Sequence, residues 1–186
     1  MNLAVPGEFF TGGGIARFGS TVAASNADVV VFLEGANDAG AVVDGDVFQA
    51  NLQKAVNIAE VLGRQMVLLT VLPPCCNRMT RVPITRGYSR EIRAVASWNN
   101  LPLADIEMAW DTTCNSLSSC QLYNIPDGLH PNNAGYDVIG ETLLATLFDI
   151  DIFASNGASS LGDALGLGEG AVTTQPAPMT AIDGEG

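Results

Sequence analysis

Two apolar runs constrain this chain more than anything else in it. Val29-Val30-Val31-Phe32-Leu33 and Met66 to Leu72 are continuous rather than alternating. A strand that reads this way is buried on both faces, and parallel sheets are its usual home. Between the two runs, Phe48, Leu52, Ala55, Val56, Ala59 and Leu62 recur at helical spacing over 47–62. Asp44 or Asp46 can cap that helix, and Gly63 can end it. Ile15 to Ala24 reads as an earlier helix, residues 84–97 as a later one, and Leu101 to Ile106 as a third short strand. Residues 111–126 look irregular, and a last helix follows Pro131 with Tyr136, Ile139, Leu143, Leu144 and Leu147. Alternation of this kind predicts an α/β domain: a parallel sheet between two layers of helices, flavodoxin-like in outline. Functional groups are then expected beyond the carboxyl ends of the strands.

Composition narrows the partners. The chain has 186 residues, with 8 basic against 20 acidic side chains and a net charge of −12. Nucleic acid and anionic membrane surfaces need clustered Lys and Arg, so neither is expected as a partner. No apolar run reaches the roughly 18 residues that span a bilayer, and the first residues lack the basic and apolar regions of a signal peptide. From Asp151 the sequence turns to Gly, Ala, Ser and Thr with acidic and no basic residues. The expected organisation is one domain over 1–150 and a flexible acidic tail over 151–186, with a short helix possible at Leu161–Leu167. The cysteines are Cys75, Cys76, Cys114 and Cys120. Their spacing does not suit a zinc site. Neighbouring cysteines rarely bridge each other, so Cys114–Cys120, or either of these with Cys75 or Cys76, are the pairings considered beside four free thiols. A disulfide would point to an exported, oxidising compartment.

Chemistry concentrates in Asp127-Gly128-Leu129-His130-Pro131, which holds the only histidine. Histidine takes and returns a proton near neutral pH. An aspartate three residues earlier can hold one ring nitrogen and leave the other free as a base. Pro131 suits the first position of a helix. At the other end of the domain, Gly35-Ala36-Asn37-Asp38 follows the first apolar run.

These stretches resemble the blocks of the SGNH hydrolases, also called the GDSL esterase/lipase family. Gly35-Ala36-Asn37-Asp38 is similar to the family's Gly-x-Asn-Asp block. Asp127 to His130, with Pro131 to Tyr136 behind it, is similar to its Asp-x-x-His block. Asn2 to Glu8 is similar to its glycine block. The resemblance covers about residues 2–148. It implies ester hydrolysis through an acyl-enzyme, with no metal or organic cofactor and with lipid, small-ester or acetylated-sugar substrates. His130 would be the base and Asp127 its orienter. The Asn37 side-chain amide and the Gly7 backbone N–H would donate to the oxyanion, as acyl transfer requires. Asp38 is expected to brace its loop rather than touch substrate.

One block of the pattern is missing. The family's nucleophile is the serine of a Gly-Asp-Ser block on an earlier strand, and no Gly-Asp-Ser occurs in this sequence. Gly19-Ser20 is the nearest imitation, but it falls in the first helix. A strand–helix–strand unit takes roughly 30 residues or more, and the glycine block already begins at residue 2. The expectation is an N-terminally truncated chain whose first strand–helix–strand unit and serine lie outside it, which would leave Val29 to Leu33 as an open apolar edge. Two other readings compete: a catalytically inactive protein that keeps the fold for binding or scaffolding, and an unrelated flavodoxin-like ligand binder in which Asp127 and His130 are incidental. Arg78, Arg81, Arg86, Arg90 and Arg93 read as a solvated face balancing an acidic protein, and Trp98 and Trp110 as packing residues.

Overall fold

The computed structural model describes residues 1–149. The expected acidic tail at 151–186 and its possible helix at Leu161–Leu167 lie outside the described residues. Three strands, β1 (Val29–Phe32), β2 (Gln65–Leu69) and β3 (Leu103–Ala104), form a parallel sheet in the order β1-β2-β3. Val31 pairs with Val67, and Leu69 with Ala104. Six α-helices are described: α1 (Ile15–Ser25), α2 (Ala36–Gly40), α3 (Gly45–Val61), α4 (Val82–Trp98), α5 (Ile106–Thr113) and α6 (Asn133–Asp149).

Side chains alternate across the sheet and meet two helical layers. Val30, Phe32, Met66, Leu68 and Leu103 pack with residues of α1, α3 and α4. The Phe48 and Tyr88 rings stack there with centroids 4.3 Å apart. Val29, Val67, Leu69 and Ala104 pack against Ile139, Leu143 and Leu147 of α6. The three-layer parallel architecture is the one the periodicity predicts. Asp44 is the cap of α3, accepting from the Asp46 N–H at 2.9 Å. Gly63 (φ +67°) ends the helix, where the Arg64 N–H reaches back to the Ala59 carbonyl at 2.8 Å.

Several expectations need correction. β1 is an edge of the described sheet, and burial on both faces fails there: Val31 is 46% and Leu33 39% exposed, because α6 does not reach over them. Pro131 does not open the last helix. It forms an antiparallel bridge with Tyr123, and α6 begins at Asn133. The stretch after β3 is less irregular than expected, since α5 runs to Thr113 with Asp105 as its cap, its carboxylate accepting from the Met108 N–H. Cys75 and Cys76 are bonded to each other despite their adjacency, and Cys114 is bonded to Cys120. Trp110 is fully buried, but Trp98 is exposed and packs against little. Arg86 and Arg93 are not merely solvated. Arg93 grips Asp105 with two 2.7 Å bonds, and Arg86 grips Asp111 with two at 2.8 Å. No described helix is long and apolar enough to cross a membrane.

Candidate active site

The carboxyl end of β1 leads through Glu34 into Gly35, which sits at φ +116°. A Cβ there would come 2.9 Å from a Val71 methyl and 3.2 Å from the Phe48 ring, so both conformation and space demand glycine. The turn places Asn37 and Asp38 in the first turn of α2. Asp38 is completely buried. One carboxylate oxygen accepts from the Phe10 N–H at 2.9 Å. The other accepts from the Thr11 N–H and hydroxyl at 2.9 and 2.7 Å. Asp38 therefore braces the segment after Gly7.

Gly7 follows Pro6 in a turn closed by the Glu8 N–H to the Val5 carbonyl at 3.1 Å. Its φ of +76° and the Pro-Gly pair are what a type II turn requires. The Asn37 side-chain amide donates one hydrogen to the Glu8 carbonyl at 3.0 Å. An amide NH₂ carries two hydrogens, so one remains for another acceptor. Arg17 secures the same turn from α1, with Nε 2.8 Å from a Glu8 carboxylate oxygen and one terminal nitrogen donating to the Leu3 carbonyl at 3.0 Å. Hydrogen bonding to Arg17 holds the Glu8 carboxyl below its usual range. Glu34 goes the other way. Burial, then the nearby Asp38 and Glu8 charges, push its carboxyl up to about 7 against the pull of Arg17.

Asp127 and His130 stand on a closed loop. The Tyr123–Pro131 bridge forms its base. The Asn124 N–H donates to the His130 carbonyl and the Gly128 N–H to the Asn124 carbonyl, both at 2.9 Å. Asp127 Oδ2 takes two bonds from His130: the backbone N–H at 2.9 Å and ring Nδ1 at 2.6 Å. The backbone N–H of His130 is the first cause, and the ring and Arg78 further causes, that hold the Asp127 carboxyl below its usual range. An ionised carboxylate only accepts, so Nδ1 carries a proton, and in the neutral ring Nε2 presents a lone pair. The His130 side chain is 71% exposed, open to a reaction partner.

Sequence reasoning thus finds two pairs that the fold completes locally: Asp127 with His130, and Asn37 with the turn that contains Gly7. Both lie past the carboxyl ends of neighbouring strands. Asn37 follows β1 directly. β2 leads on to Cys75, whose N–H holds the Gly128 carbonyl at 2.9 Å. Ser20 is elsewhere, on α1, with its hydroxyl bonded to the Arg17 carbonyl at 2.9 Å. Sequence reasoning misses Arg17 and Arg78 as clasps of these loops. Nothing in their spacing announces it, since each acts across a turn whose path only the fold sets. Among the described residues, no group of three or more His, Cys, Asp or Glu side chains is placed to hold a metal ion.

Comparison with known proteins bears on the fold and the family. Axe2, an acetylxylan esterase from Geobacillus stearothermophilus, superposes with a TM-score of 0.66 at 22% identity, over 75% of this chain and 68% of that one. A GDSL-like lipase from Bacteroides thetaiotaomicron gives 0.65 at 19%, over 77% and 73%. LAE5, an α/β hydrolase from the metagenome of Lake Arreo, gives 0.64 at 25%, over 75% and 68%. These likenesses show the SGNH hydrolase fold. No curated protein matches the sequence. The GDSL-like lipase/acylhydrolase family matches residues 1–138, and the chain belongs to that family of ester hydrolases.

Proposed function

We propose that this protein is a serine ester hydrolase that works through an acyl-enzyme, and that its nucleophilic serine comes from a segment beyond these 186 residues. The observation that carries the reading is the Asp127 Oδ2–His130 Nδ1 bond with Nε2 left open to solvent. In this reading His130 Nε2 removes the serine proton as the hydroxyl attacks the ester carbonyl. Asp127 holds the ring and stabilises the imidazolium that forms. The free hydrogen of the Asn37 amide and the Gly7 N–H receive the oxyanion. The proton then passes from His130 to the leaving alcohol. Water, activated by the same nitrogen, releases the acid and regenerates the serine. Acetylated sugars, small esters and lipids are the substrate classes. The exposed apolar edge at Val31 and Leu33 supports the second half of the proposal, since a further strand from the protein would find unpaired backbone and apolar side chains there.

A fluorophosphonate probe tests this. The product of the extended reading frame should label, His130→Ala in it should lose the label, and the 186 residues alone should stay unlabelled. Labelling of these residues at a serine of their own would remove the missing-nucleophile assignment. The absence of Gly-Asp-Ser from the sequence favours a second reading, an inactive binding or scaffold protein on the same fold. That reading predicts an extended product that never labels.

A further inference from the structure

Asp127 has two faces, and His130 uses only one. Its main-chain carbonyl and Oδ1 are turned to Arg78. The Arg78 Nε donates to the carbonyl at 2.8 Å, and a terminal nitrogen lies 3.6 Å from Oδ1. Arg78 is itself fixed at the backbone, its N–H donating to the Cys75 carbonyl at 2.9 Å. The Cys75 N–H in turn donates to the Gly128 carbonyl at 2.9 Å. A Cβ on Gly128 would come 2.7 Å from the Cys75 carbonyl oxygen, so the turn at 75–78 and the loop at 127–130 lie in backbone contact. The loop's backbone is closed by the bonds described above, but its side chains are not enclosed: the His130 side chain is 71% and the Asp127 side chain 31% exposed.

Building on the base-and-orienter reading of His130 and Asp127, we propose that Arg78 is a positioning residue of the hydrolase site, holding Asp127 in the pose from which Oδ2 receives the His130 Nδ1–H. A partly exposed carboxylate such as this one can rotate and exchange its oxygens between partners and water. A guanidinium presents several N–H groups in a rigid plane, so it can hold a carbonyl and face a carboxylate oxygen together. A lysine ammonium has no such plane. The guanidinium leaves Oδ2 to histidine alone, and that fixes the tautomer with Nε2 unprotonated.

The single histidine makes the test direct, because its imidazole nitrogens give the only such signals in a ¹⁵N spectrum. At about pH 8, above the ordinary histidine range, the 186-residue chain should show one protonated and one unprotonated nitrogen, well separated. In Arg78→Ala the two signals should move towards each other as the tautomers exchange, while the rest of the amide spectrum stays folded. Arg78→Gln, which keeps a neutral donor, should fall between. It also carries the test if the alanine variant does not fold. Unchanged separation in a folded variant would overturn the proposal, as would a wild-type histidine with no fixed tautomer. In the serine-bearing protein, Arg78→Ala should lower kcat on the order of 10–100-fold with KM little changed. A tautomer change in a protein that cleaves no ester would keep the role of Arg78 and discard the esterase reading.

Discussion

Val31 and Val67 are the same residue, paired in register on adjacent parallel strands, yet one is 46% exposed and the other fully buried. Both belong to apolar runs that look alike in sequence. The difference comes from the layer above them. The α6 side chains Ile139, Leu143 and Leu147 cover Val67 and Leu69, and on β1 their cluster takes in Val29 but leaves Val31 and Leu33 exposed. β2 is therefore held by packing on both faces. β1 has that second layer at Val29 and loses it towards its carboxyl end, where polar contacts stand instead. There Asp38 ties α2 to the segment at Phe10 and Thr11. A strand's sequence states what burial it tolerates, and its neighbours decide what burial it receives.

The largest expected effect tests that polar anchor. Asp38→Ala leaves the buried N–H of Phe10 and the part-buried N–H of Thr11 without their carboxylate, and should cost about 3–5 kcal/mol in urea unfolding. A cost under about 1 kcal/mol would show that β1 does not depend on it. Next comes the register pair itself. Val67→Ala should cost about 2–3 kcal/mol, and Val31→Ala about 1 kcal/mol or less. Equal losses would mean that both faces of β1 are covered in solution. A last effect, read through pH, concerns Glu34, which also sits at the end of β1. Its carboxyl lies at about 7 in the fold against an ordinary 4.5. The folded chain therefore keeps this proton more tightly than the unfolded chain, and stability falls as pH rises through that window. Glu34→Gln should flatten the dependence, raising the melting temperature above about pH 7 and not near pH 4.5. A parallel fall in wild type and variant would assign the slope to other groups.

Much of the fold is legible in the sequence because it is periodic. The apolar stripe of α3 and the continuous runs of β1 and β2 report burial directly, and Asp44 and Gly63 mark helix ends by local chemistry. The short helix α2 is not legible, since Ala36 to Gly40 is too brief to show a period. The start of α6 is not legible, because Pro131 suits a first helical turn equally well and only its bridge to Tyr123 decides against it. In the site, Asp127 with His130 and Asn37 with Asp38 are legible because each pair is local in sequence. The bonds from Arg78 to Asp127 and from Arg17 to Leu3 cross between elements, and no spacing rule encodes them.

The two tryptophans carry an optical consequence. Trp110 is enclosed beside Cys75, Leu122 and Tyr123, edge-on to the Tyr123 ring with centroids 5.4 Å apart. Tyr123 in turn bridges to Pro131 at the root of the His130 loop. Trp98 is 67% exposed at the far end of α4. Iodide in solution should extinguish the emission of Trp98 and leave that of Trp110. The remaining blue-shifted light is then a label-free gauge of the loop, sensitive to any ligand or partner that tightens or loosens it.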